Sequence, residues 1–142
     1  MKNNIIAVLL FAATASASAN SLVVTNVTTS AKGSDVTSIS LDLVSSGTAS
    51  AIDFQIDTGI RGNDAAFDLS GCLQGIKGRP GKCAVENGII FGGFFTPDQT
   101  VLAKGSISLG RVTIRAKGVA LKSTFEAVDF FGKAVESSVS VN

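Results

Sequence analysis

Four carboxylates crowd one stretch of this 142-residue chain: Asp53, Asp57, Asp64 and Asp68. Three kinds of chemistry are open to them. As a pair, Asp53 and Asp57 could serve as the acid and base of a glycosidase. Converging, the group could hold calcium, which needs several oxygen ligands at once. Separately exposed, they would simply be solvated. The alternating acidic loop of an EF-hand is missing, so the solvated reading is taken. No cofactor is expected, and a calcium ion would have no motif to hold it. The chain has no His, Trp or Tyr. Without His there is no Ser-His-Asp site, and acid–base and metal chemistry near neutral pH lose their usual group. Without Trp and Tyr a sugar-stacking platform loses its usual surface. The composition points to a binding module and away from an enzyme.

Cys72 and Cys83 are the only cysteines. Their spacing is too long for a C-x-x-C redox site, and two thiols without His make a poor zinc site. A disulfide is expected, closing a short loop and adding about 2–3 kcal/mol of stability. Lys77, Arg79 and Lys82 stand in that loop, among Gly75, Gly78 and Gly81. A stapled basic loop could present N–H groups and cations to an anion, although short basic clusters are usually just solvated. Gly81-Lys82 does not complete a phosphate-binding P-loop. Ile76 stands where the earlier Gly is needed, and Cys83 where Ser or Thr is needed. Asn26-Val27-Thr28 fits a glycosylation sequon but reads as an ordinary strand segment.

Phe91, Phe94 and Phe95 surround Gly92-Gly93. Apolar residues face both ways along Ile89 to Phe95, so both faces must be covered or one must meet a partner. Alternation is read here as Phe91 and Phe95 inward and Phe94 outward. Phe94, with Phe95 beside it, is the expected partner contact.

The elements that must position these residues follow an export signal. Lys2, the apolar run Ile5 to Ala13 and Ala17-Ser18-Ala19 have the order of a secretory signal peptide. The run is too short to span a bilayer. Residues 1–19 are read as the signal, residues 20–142 as one domain, and the product as secreted or periplasmic and bacterial. Without Lys2, eleven Lys and Arg balance eleven Asp and Glu. Nothing in that balance draws nucleic acid or anionic lipid. No later segment is long and apolar enough to span a membrane.

The domain reads as strands joined by turns. Val, Ile, Thr, Ser and Phe dominate, and Gly punctuates. Leu22 to Val27 is a first strand. Ile39, Leu41 and Leu43 alternate with Ser38, Ser40 and Asp42, and Ile52, Phe54 and Ile56 alternate with Asp53, Gln55 and Asp57. Ala65 to Leu69 suits one helical turn capped by Asn63 or Asp64. Asn87-Gly88 signals a hairpin. Ile107 and Leu109 have the opposite parity to Val112 and Ile114, which predicts a bulge at Gly110 or two short strands meeting there. Phe125 to Phe131 is a further strand, turned back at Gly132-Lys133.

This order resembles a cohesin domain, within the cohesin-like and cellulose-binding-like jelly-roll sandwiches. Three stretches carry the resemblance: Ala51-Ile52-Asp53-Phe54-Gln55-Ile56-Asp57, Asn87-Gly88-Ile89-Ile90-Phe91-Gly92-Gly93-Phe94, and Gly105 to Lys117 with Leu109-Gly110-Arg111-Val112-Thr113-Ile114-Arg115. The resemblance implies an all-β jelly-roll sandwich of about nine strands. It also implies a non-catalytic module that docks another exported protein, dockerin-like, through a flat sheet face. The single domain and the cysteine-closed basic loop depart from the family's usual setting. Two alternatives stay open: a carbohydrate-binding module of the same architecture, with polysaccharide as partner, and an envelope subunit that self-assembles through a strand edge.

Overall fold

The computed structural model describes residues 19–31, 33–76, 81–97 and 100–142. Ten strands build two facing sheets. They are β1 (Asn20–Ala31), β2 (Ser34–Ser45), β3 (Ala51–Asp57), β4 (Phe67–Asp68), β5 (Gly81–Glu86), β6 (Ile89–Phe95), β7 (Gly105–Ile114), β8 (Lys122–Val128), β9 (Ala134–Val135) and β10 (Ser137–Val141). One sheet has the order β10-β1-β2-β7-β4 and the other β5-β6-β3-β8-β9. Every pairing is antiparallel except β1 with β10, so the last strand closes the sandwich alongside the first. This is the expected jelly-roll sandwich. Among the described residues no helix is long and apolar enough to cross a membrane.

Period-two patterning decides which side chains meet between the sheets. Leu22 and Val24 of β1, Ile39, Leu41 and Leu43 of β2, and Ile52, Phe54 and Ile56 of β3 are all buried. Each such side chain contributes about 1.5–3 kcal/mol of hydrophobic stabilisation. The parity change in β7 is a bulge. Leu41 opposes Gly110 and Asp42 opposes Ser108, which leaves Leu109 as the extra residue. The bulge turns both Leu109 and Val112 into the core. Gly110 sits at φ 127°, in the region that favours glycine.

The hairpin signal is borne out. Asn87 (φ 48°) and Gly88 (φ 80°) both adopt left-handed backbone and join β5 to β6, as a two-residue type I′ turn requires. The predicted helical turn is a short 3-10 segment, Asp64–Ala66, preceded by Asn63, whose side chain makes no capping bond. Phe67 and Asp68 then leave it to form β4.

Two expectations are corrected. The strand after Leu121 ends at Val128 instead of running to Phe131. Asp129 stops it, because its Oδ1 accepts hydrogen bonds from the N–H groups of Phe131 (2.9 Å) and Lys133 (3.0 Å). Such a side-chain bond to the following backbone makes a turn. The parity of β6 is also the reverse of that expected. Phe94 is 3% exposed and belongs to the core, whereas Phe91 (36%) and Phe95 (51%) face solvent. Register with β3 decides this, since Ile52, Phe54 and Ile56 oppose Phe94, Gly92 and Ile90 on the inner face. The proposed signal, residues 1–19, lies outside the described residues except for Ala19.

Candidate partner-binding face

The outer face of the β5-β6-β3-β8 strands is set by the same registers. One row runs Phe95, Ala51, Val128 and the next runs Lys82, Gly93, Asp53, Glu126. A third runs Ala84, Phe91, Gln55, Thr124. Phe91 and Phe95 are two residues to either side of Gly93, so they stand at the two ends of a glycine floor. The result is a shallow, open depression of about 750 Å³.

The two glycines have different jobs. Gly92 points inward, and the ring of Phe54 lies against it: a Cβ there would stand 2.6 Å from Phe54 Cε2. Gly93 points outward, beneath the carboxylate of Asp53, and a Cβ there would come within 2.8 Å of the Ile52 carbonyl oxygen. Both substitutions would intrude on occupied space. The Gly92-Gly93 pair therefore lets the core fill from below and keeps the floor low from above.

Asp53 and Glu126 are direct cross-strand neighbours. Like charges directly opposite on a sheet destabilise it. The only ion pair among the described residues is elsewhere, between Arg61 Nη2 and Asp57 Oδ2 at 3.0 Å. Lys82 flanks the opposite side of Gly93. The depression thus has an acidic wall, a basic wall and apolar ends.

The other carboxylates are occupied locally. The hydrogen bond from Arg61, helped by the Gly59 N–H, holds the Asp57 carboxyl below its ordinary value of 3.8. Asp68 is lowered by hydrogen bonds from the Ser70 hydroxyl and N–H. Asp64 clasps the hairpin turn, its oxygens accepting from Asn87 N–H at 2.9 Å and Gly88 N–H at 2.8 Å. No group of three or more His, Cys, Asp or Glu among the described residues could hold a metal.

Cys72 and Cys83 are disulfide-bonded, with Cα atoms 6.2 Å apart. Cys72 bridges to Gly110 of β7, and Cys83 lies in β5. The bond therefore ties the rim of one sheet to the edge strand of the other, next to the depression. Lys77 and Arg79 lie outside the described residues; Lys82 is exposed on β5 and belongs to the depression's wall.

Similarity to known proteins lies in the fold. No protein-family model and no curated protein matches the chain. Solved structures do. A non-cellulosomal cohesin from the archaeon Archaeoglobus fulgidus shares 13% identity at TM-score 0.51, over 87% of this chain and 88% of that one. A type II cohesin domain from the cellulosome of Acetivibrio cellulolyticus shares 10% at TM-score 0.56, over 87% and 92%. A type II cohesin–X-dockerin complex from Acetivibrio cellulolyticus matches with 9% identity at TM-score 0.51, over 85% and 95%.

The chain has the cohesin fold.

Within this cohesin fold, of the residues singled out in the sequence, Phe95, Lys82 and Cys83 lie on the adjoining strands β6 and β5 of one sheet, while Cys72 bridges to β7 of the other. Phe94 points into the core instead. Sequence reading missed Phe91, which is exposed, and the turn bearing Phe130 (44% exposed) and Phe131 (80%). A signal for the turn was present: Asp129 and Gly132 bracket the two Phe as turn residues do, and Gly132 has φ 81°.

Proposed function

We propose that this chain is an exported, non-catalytic docking module that binds a folded partner protein on the outer face of β5-β6-β3-β8. The observation that carries the reading is the pair Phe91 and Phe95, exposed on either side of a glycine floor flanked by Lys82, Asp53 and Glu126. Exposed aromatics around a depression are the usual anchors of protein interfaces. The cohesin fold supports the choice of partner class, because one of the matching structures is a cohesin–X-dockerin complex. The partner is a dockerin-like exported protein. Residues 1–19 serve as the export signal. The reading is supported by β1 beginning at Asn20 and by a disulfide suited to an oxidising compartment.

Affinity capture tests it. The immobilised protein is exposed to the producing cell's exported proteins, with calcium or with EDTA. The expected result is one retained protein, lost when Phe95→Ser or Phe91→Ser is immobilised instead. Calcium dependence would mark the partner as dockerin-like, because the cohesin resemblance implies a dockerin that itself carries calcium. Retention unchanged by both substitutions would move the site off this face. Retention of polysaccharide alone would favour a carbohydrate-binding module.

A further inference from the structure

We infer that two copies of this chain associate by exchanging the Phe130–Phe131 turn, each turn seating in the Gly93-floored depression of the other copy. The turn is built to project. Asp129 Oδ1 accepts hydrogen bonds from Phe131 N–H and Lys133 N–H, Asp129 N–H donates to the Lys133 carbonyl (2.9 Å), and Gly132 N–H donates to the Asp129 carbonyl (3.0 Å). β9 then pairs back onto β8. The two rings lie with centroids 4.2 Å apart, and Phe131 is the most exposed large hydrophobic side chain among the described residues. Little ordering entropy remains to be lost on contact, which favours association.

The same chain supplies a matching recess. Its ends are Phe91 and Phe95, its floor is Gly93, and its walls are Lys82 on one side and Asp53 with Glu126 on the other. The turn carries one charge of each sign, Asp129 and Lys133. Lys133 answers the Asp53–Glu126 pair, and the outer oxygen of Asp129 answers Lys82. The acidic wall argues against a lipid occupant, because anionic headgroups would meet it with repulsion.

Position makes the exchange reciprocal. Phe95, Ala51 and Val128 share a row, and Phe130 follows Val128 by two residues, so turn and recess occupy one end of one sheet. A knob and a hole at the same end of one sheet can be related by a two-fold axis, which closes the assembly as a dimer instead of a fibre. Each seated ring buries about 150–250 Å². Only the exposed parts of Phe130 (44%) and Phe131 (80%) remain to be buried, and with the recess surface they cover the four rings reach no more than about the low end of a standard interface, roughly 1,200 Å² in total, so the dimer is weak and reversible. It needs no outside partner, and its test is independent of the partner reading above.

Sedimentation equilibrium of the oxidised protein from about 1 µM to about 1 mM tests the inference. The wild type is expected to move from monomer towards dimer mass. Phe131→Ser alone and Phe91→Ser alone should each associate at least about tenfold more weakly, matching the loss of about 1.4 kcal/mol or more. An equimolar mixture should regain part of the association, because the intact turn of one variant enters the intact recess of the other. A wild type that stays monomeric throughout overturns the inference, as does Phe131→Ser associating like wild type. Absence of recovery on mixing would also overturn it, reassigning the aromatics to one patch that meets itself. Monomers whose binding to anionic vesicles is lost in Phe131→Ser would instead assign the turn to lipid.

Discussion

Replacing Gly92 by Ala tests the claim that core packing beneath the depression depends on a missing side chain. The added Cβ would collide first with Phe54 Cζ and would stand 2.6 Å from Cε2 and 2.7 Å from Cε1, against an ordinary contact of at least 3.4 Å. The ring cannot simply swing away, since Phe54 is 2% exposed and lies in the central strand of its sheet. Clearing the contact therefore moves the ring or the β3–β6 backbone by close to 1 Å. Overpacking of this kind costs about 1–3 kcal/mol, or about 4–12 °C in Tm for a domain of this size. Phe54→Leu alone should cost about 1–2 kcal/mol through lost buried area. The two changes should not add. With Leu at 54 the ring atoms that crowd the new Cβ are gone, so the double variant should recover about 1–2 kcal/mol relative to the sum. Urea denaturation of the four proteins under oxidising conditions measures this directly. Additivity within about 0.5 kcal/mol would mean the ring and the glycine do not share one space, and the account of the floor would be wrong.

Asp64→Ala removes both acceptors for the Asn87 and Gly88 N–H groups. It should cost about 1–3 kcal/mol and raise amide hydrogen exchange at that turn; unchanged exchange would mean water replaces the carboxylate fully. Reducing Cys72–Cys83, which spans a sequence separation of 11, should cost about 2–3 kcal/mol by loop entropy. The check is a Tm about 10 °C lower in reductant, and an unshifted Tm would contradict that estimate. Because Arg61 lowers the Asp57 carboxyl below 3.8 in the folded chain, its contribution is present above about pH 4 and is lost as pH falls through the lowered value. Asp57→Asn should therefore flatten the acid limb of stability between pH 4 and pH 2, read as the denaturant midpoint at each pH; an unchanged limb would show the pair is inert.

The strands were legible because one face of each had to be apolar. From Ser38 to Leu43 in β2 and from Ile52 to Asp57 in β3 every second residue is Ile, Leu or Phe and the rest are Ser, Asp or Gln, so only one orientation buries the apolar set. The phase shift across Gly110 was legible for the same reason, and the unbroken pairing of β2 with β7 on either side of it makes it a bulge within one strand and not a junction of two. The extent of β8 was not legible. Phe130 and Phe131 look like strand residues, and the local bonds made by Asp129 outweigh that propensity.

The binding face was hidden by the very property that makes it a candidate. Along Ile89-Ile90-Phe91-Gly92-Gly93-Phe94-Phe95 both parities offer two large apolar residues or more and one glycine, so alternation carries no information about which set is inside. What breaks the tie is distant in sequence: the ring of Phe54 needs a glycine opposite it, and β3 register supplies Gly92 for that place. Once Gly92 is inside, Phe91 and Phe95 must be outside, on a face where they cost solubility and do not serve the core. A strand that is apolar on both faces in a two-layer sandwich has one face without a second layer. Here that face carries a recess with charges of both signs, and the same chain carries an ordered aromatic turn to match it. The exposed phenylalanines are therefore best explained by contact with something outside the fold, and the mixing experiment decides whether that something is another copy.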